Sequence, residues 1–150
     1  METRRAFYQV TLPLRRLIAA SLLLSACLQA GQAAAEGCAE VWDGRRWQPV
    51  ALAETEAEHA AGLSGRPPGG MLFVYPRPEV RWIWMQGMSF DLDIVWLDAE
   101  RRALAVERLP VCGESPCPLY PSPGPVSYVL ELPAGGFAGQ IGQRLDWRDC

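Results

Sequence analysis

From Trp42 onward the chain reads as short runs of β-branched and aromatic residues parted by proline and glycine, and this punctuation limits its fold more than any other feature. Proline lacks the amide hydrogen that helices and ladders need, and glycine loses the most conformational freedom on ordering. Short strands joined by turns are therefore favoured over long helices. Alternation and β-branched enrichment predict strands at 47–53, 71–75, 80–86, 92–98, 102–108, 126–131 and 144–147. Ile94-Val95-Trp96-Leu97 and Val126-Ser127-Tyr128-Val129-Leu130 carry the pattern most clearly. Pro76-Arg77-Pro78 and Asp98-Ala99-Glu100 read as turns between adjacent antiparallel strands. Two short helices are predicted. One follows Thr55, whose spacing to Glu58 fits a capping box, and stops at Gly62; the other covers 134–140, between Pro133 and Gly142. Strands at this spacing predict a mainly β fold, a β-sandwich or a partly closed barrel, in a single domain over 41–150.

The first residues read as an address. Arg4, Arg5, Arg15 and Arg16 precede an apolar run at 17–26 that suits a signal-peptide core and is too short to span a bilayer. Leu24-Ser25-Ala26-Cys27 resembles the lipobox of bacterial lipoproteins, in which the cysteine becomes the lipidated first residue of the mature chain. A signal peptide over 1–26, lipidation of Cys27 and an Ala/Gly-rich tether over 27–40 are the expected layout. Cleavage after Ala35 is the alternative, releasing a soluble periplasmic protein. Thr3-Arg4-Arg5-Ala6-Phe7 also resembles a twin-arginine export signal. Removing 1–26 leaves ten basic and sixteen acidic residues, so nucleic acid is not an expected partner, and any membrane contact would come from the lipid alone.

Either cleavage leaves four structural cysteines: Cys38, Cys112, Cys117 and Cys150. An even count in an oxidising compartment favours two disulfides. Of three pairings, Cys112 with Cys117 is the simplest, leaving Cys38 and Cys150 to tie the two ends. The rival is a redox-active pair, but four intervening residues, with Gly113 and Pro116 among them, is not the two-residue spacing of thioredoxin-like enzymes.

A series of blocks then narrows the family. Glu54-Thr55 to Glu58 and Ala61-Gly62-Leu63-Ser64-Gly65-Arg66 are followed by Gly70-Met71-Leu72-Phe73-Val74-Tyr75, Trp84-Met85 and Asp91-Leu92-Asp93-Ile94-Val95-Trp96-Leu97-Asp98. Next come Cys112, Cys117-Pro118-Leu119-Tyr120-Pro121-Ser122-Pro123-Gly124, Tyr128-Val129-Leu130-Glu131-Leu132-Pro133-Ala134-Gly135 and Gly142-Gln143-Arg144-Leu145. In order and spacing the chain resembles the domain-of-unknown-function-192 family over about residues 50–147. The resemblance implies a compact, mostly β, jelly-roll-like domain that is often exported, and it supplies no activity. Where such relatives carry Trp-Met-Lys-Asn-Thr and then Pro-Leu-Asp, this chain has Trp84-Met85-Gln86-Gly87-Met88 and then Asp91-Leu92-Asp93. Ser64 stands where a methionine is usual, and Cys38 and Cys150 lie outside the pattern.

Chemistry is bounded first by what is scarce. His59 is the only histidine and there is no lysine, which excludes multi-histidine metal sites and Schiff-base mechanisms. No Gly-x-Ser-x-Gly nucleophile motif occurs, and Gly69-Gly70 lacks the lysine of a phosphate loop. His59, next to Glu58 on the first predicted helix, reads as a surface residue. Met71, Met85 and Met88, with His59 and the thiols, raise copper as the one cofactor worth weighing, because soft sulfur selects Cu(I); methionine as core filler is the plainer reading, and no cofactor is expected.

Trp82 and Trp84 share a strand face with Met85 opposite, either packing the core or forming an aromatic platform for a flat ligand. Asp91 and Asp93 share another face and would serve as the carboxylates of a glycan hydrolase if there were catalysis. Six prolines and the predicted local disulfide stiffen 109–125, either as a crossover or as a rim bearing Tyr120 and Ser122. The expectation is an envelope protein binding a small molecule or envelope glycan through Trp84, Met85, Asp93, Tyr120 and Ser122. A hydrolase using Asp91 and Asp93, or an assembly lipoprotein with a protein partner, are the alternatives.

Overall fold

The structure is a computed structural model that describes residues 37–150. The predicted signal peptide, Cys27 and most of the predicted tether lie outside the described residues. Strands β1 (Cys38–Trp42) and β2 (Trp47–Ala53) form a hairpin whose turn is held by the Asp43 carboxylate, which accepts from the Arg45 and Arg46 amides at 2.7 and 2.9 Å. Helix α1 (Glu56–Ala61) follows, and β3 (Met71–Glu79) then returns parallel to β2. Next along the chain are β4 (Trp82–Trp84), β5 (Leu92–Leu97), β6 (Ala103–Leu109), β7 (Leu119–Pro121), β8 (Val126–Pro133) and β9 (Trp147–Asp149).

Seven strands make one open sheet in the order β6-β5-β8-β3-β2-β1-β9, and β4 pairs only with β7 in a separate ribbon. The chain is therefore mainly β, as its punctuation requires, without closure into a barrel. Its central strands are apolar on both sides. Leu92, Ile94 and Trp96 of β5 join Met71, Phe73 and Val129 in one cluster, under Ile83 of the ribbon and Met85 and Met88 just beyond it. Val95 and Leu97 point the other way and pack with Leu72, Leu130, Leu132 and Leu145. Successive side chains alternate across a strand, so a strand covered on both faces must be apolar at every position. β5 is, apart from Asp93.

Several expectations are corrected. Residues 38–40 begin β1 instead of ending a tether, because Cys38 is bonded to Cys150 and β9 pairs along β1. Pro76-Arg77-Pro78 lies within β3 and is not a turn. The ladder with β8 runs from Met71 to Val74 and resumes only at Glu79, as two residues without amide hydrogens require. The strand predicted at 80–86 shortens to 82–84, the one predicted at 144–147 is displaced to 147–149, and the short β7 inside the proline-rich segment was not anticipated. No helix forms at 134–140. Gly135 adopts φ +83, and the Asp93 carboxylate accepts from the Gly135 and Phe137 amides at 2.7 and 3.3 Å, holding the segment as a turn.

Candidate functional site

Helix α1 is one and a half turns long and is stabilised at its start. Thr55 Oγ1 accepts from the Glu58 amide at 3.3 Å, and Glu58 Oε2 accepts from the Glu54 and Thr55 amides at 2.8 and 2.9 Å. Those backbone bonds hold the exposed Glu58 carboxyl below its ordinary range. The capped helix turns His59 inward, contrary to the surface position expected for it. His59 Nε2 lies 2.9 Å from the Ala53 carbonyl oxygen and 3.1 Å from that of Val74, so this nitrogen carries the hydrogen. The ring sits 4.4 Å from Tyr75 and 5.9 Å from Phe73, centroid to centroid.

Beneath this aromatic wall is a carboxyl that sequence reasoning passed over. Glu131 of β8 stands opposite Met71 of β3 and Ile94 of β5, on the sheet face covered by the ribbon. It is 4% exposed, and among the described residues its carboxyl has no hydrogen bond or ion pair. Burial alone pushes it up to about 8. Burial likewise pushes the Tyr75 hydroxyl up to about 12, with Glu131 adding to the rise and Arg81 opposing it.

Glu131 lies on the wall of a cavity of about 80 Å³, which His59, Phe73, Tyr75, Trp82 and Trp84 also line. Past His59 and Tyr75 the cavity meets a wider cleft of about 380 Å³ beside Trp82 and Arg81. Arg81 lies over the Tyr75 ring at 4.1 Å and pairs with Glu79 at 3.2 Å, while its Nε is buried without a partner. Ser64, Gln86 and Met88 complete the opposite rim. Here the departures from the family pattern meet in space: the Gly65 amide donates to the Gly87 carbonyl at 3.1 Å, and a Cβ at Gly87 would collide with the Ser64 side chain.

Of the five residues expected to bind, Trp84, Met85, Asp93, Tyr120 and Ser122, Trp84 alone lines this cavity. Trp82 and Trp84 are 58% and 54% exposed, so the pair does not pack the core. Met85 turns inward and is buried, as are Met71 and Met88, and all four structural cysteines are in disulfides, Cys38 with Cys150 and Cys112 with Cys117. The methionines weighed for copper thus pack in one core cluster, and the thiols are taken up in two cross-links. Tyr120 faces the core opposite Ile83, and the Ser122 hydroxyl accepts from the Arg81 amide at 3.0 Å and donates to the Gly124 carbonyl at 2.6 Å. Both hold the ribbon together, so the proline-rich segment acts as the crossover.

Asp93 is on the opposite sheet face from Trp84 and accepts from Arg108 Nε at 2.9 Å in addition to the turn amides. That contact raises the exposed Arg108 guanidinium further. Asp91 accepts from the Val111 amide at 2.8 Å. Each carboxylate fastens a loop. Glu131 was legible in principle, as the single charge in a mostly apolar eight-residue run. His59 was not, because its inward turn depends on contacts with β2 and β3.

Comparison with known proteins agrees with this architecture. The model of the DUF192 family, described as "Uncharacterized ACR", matches residues 39–147, reaching eleven residues further toward the N-terminus than the motifs indicated. A chain from Novosphingobium aromaticivorans DSM 12444, of unknown function, superposes with a TM-score of 0.61 at 26% identity, over 73% of this chain and 84% of that one. A chain from Sinorhizobium meliloti 1021 described as a "putative transcription regulator" superposes with a TM-score of 0.60 at 24% identity, over 75% of this chain and 94% of that one, a likeness of fold. No curated protein matches.

Proposed function

We propose a binding function for this chain, which belongs to the DUF192 family: it captures a small molecule or cell-envelope component in the cleft over Glu131. The observation that carries this reading is the carboxyl itself, buried on a sheet face with no partner among the described residues and bordering a cavity walled by aromatic side chains. A buried ionisable group without a partner lowers stability, and such groups concentrate at functional sites, where the cost is offset by use. A second support is that Trp82 and Trp84 stand exposed at the rim. Indole rings offer large flat surfaces whose burial by a ligand is favourable.

The protein's place, in this reading, is the periplasmic face of the envelope, tethered through Cys27. The lipobox-like Leu24-Ser25-Ala26-Cys27 and the two disulfides support it. Cys27→Ser is expected to move the protein from the membrane pellet to the soluble periplasmic fraction. Wild-type protein found in the soluble fraction would leave the tether without support.

Native mass spectrometry of the full chain purified from envelopes tests the binding itself. The expected spectrum shows excess mass of small-molecule size that denaturation removes and that the Trp82→Ala, Trp84→Ala double variant lacks. A bare chain, or one that retains a protein instead of a small adduct, would overturn the reading, the second result replacing it with an assembly role.

A further inference from the structure

We propose that the group captured over Glu131 is the protonated amine of a small organic molecule, with the carboxylate as counter-ion and the aromatic side chains as its cage. This deepens the binding function above and rests on it. Three observations point to a cation. The acceptor is an unpartnered carboxyl, 4% exposed and bordering the cavity, and an ammonium supplies both the charge and the N–H donors that it lacks. The walls are Phe73, Tyr75, Trp82 and Trp84, whose ring faces attract cations within about 6 Å. The fold also shows the same preference in its own side chains, since the guanidinium of Arg81 already rests over the Tyr75 ring at 4.1 Å. Glu79 at 3.2 Å offsets the Arg81 charge, and Glu54 and Glu56 border the outer cleft.

A cavity of about 80 Å³ accepts an ammonium head with a short alkyl stem and leaves the rest of a larger molecule to lie along the outer cleft toward Trp82. An anionic head would meet a carboxyl at the wall and find no cation lining the inner cavity, because Arg81 borders only the outer clefts. Capture carries a proton signature. Glu131 is largely protonated at neutral pH, so binding an ammonium ionises it and passes close to one proton to the buffer, while the amine keeps its own. The other titratable and charged groups around the carboxyl and its clefts are Glu56 and His59 from α1, Glu54 just before it, Tyr75, Arg77 and Glu79 from β3, and Arg81 just beyond it.

The test uses n-propylammonium chloride and its neutral near-isostere n-propanol, titrated calorimetrically into the full chain at pH 7 in two buffers of different ionisation enthalpy. The ammonium is expected to bind at least tenfold more tightly than the alcohol, with an apparent enthalpy that differs between buffers by close to one proton's worth. Glu131→Gln, which is expected to fold at least as well as the parent, should abolish both the preference and the buffer dependence. Equal binding of alcohol and ammonium, or an ammonium preference that survives Glu131→Gln, would overturn the amine assignment. If a native small-molecule adduct is present while the ammonium does not bind, the ligand class fails and the binding function stands. If neither appears, both fail.

Discussion

Replacing Cys38 and Cys150 together by serine is expected to lower stability by about 4–5 kcal/mol, the largest loss predicted for any single cross-link in the molecule. The bond joins residues 112 positions apart, so it removes from the unfolded ensemble the freedom of nearly the whole described chain. The Cys112–Cys117 bond closes a loop of only five and should contribute about 2 kcal/mol on the same model. The location sharpens the expectation. β9 is an edge strand that pairs with β1 over three positions, and beyond that ladder it is held by Trp147, packed on Tyr128 at 4.9 Å and beneath Arg101 at 3.9 Å. Thermal melts of the double variant should fall by about 15–25 °C for a domain of this size. Reductant should move the parent in the same direction. A fall of only a few degrees would show that the aromatic packing of Trp147 holds the edge and that loop entropy contributes little.

The second expectation runs the other way: Glu131→Gln should stabilise the protein above neutral pH. The Glu131 carboxyl is raised from 4.5 in an open chain to about 8 in the fold. Between those values the folded state binds more protons than the unfolded one, so stability falls as pH rises from about 4.5 and levels off above about 8. Each unit of such a shift corresponds to about 1.4 kcal/mol, so the parent is expected to lose a few kcal/mol across that interval. Glutamine keeps the shape and removes the charge. Its melting temperature should therefore be nearly level where the parent's declines, with the two closest near pH 5 and furthest apart near pH 9. Melts at unit intervals of pH would decide the matter; parallel curves would mean that Glu131 is solvated or paired and that the site has been misread. The same variant is the one expected to lose amine binding, and both results together would make Glu131 a group kept for use at a cost in stability.

How much of this was readable beforehand varies by element. The strand at 47–53 and the Thr55–Glu58 cap were legible because both are local: a run of residues sets one, and a three-residue spacing sets the other. Trp82 and Trp84 sharing a face was legible for the same reason, since alternation along a strand is a backbone property. The expected site at Trp84 and Asp93 was not borne out as a unit. Which face of the sheet the ribbon covers is settled by the β4–β7 pairing, between segments more than thirty residues apart in the chain. Asp93 lies on the other face and is engaged by the turn at 135–137, where the local pattern suggested a helix. Three glycines between 135 and 139 and two backbone donors to one buried carboxylate outweigh a weak helical signal.

By itself the sequence determined the mainly β class, the family, the capped helix and the four cysteines available for cross-linking, because each of these depends on residue type and short spacing. Only the tertiary structure decided that β5 and β8 are buried on both faces, that His59 turns inward onto two carbonyl oxygens, and that Glu131 is left without a partner among the described residues, beside an aromatic cavity. Those features arise where strands distant in the chain are brought side by side. A carboxyl in an apolar strand reads alike whether a cation, water or a cavity lies over it. What lies over it is set by the segments that pack across that face.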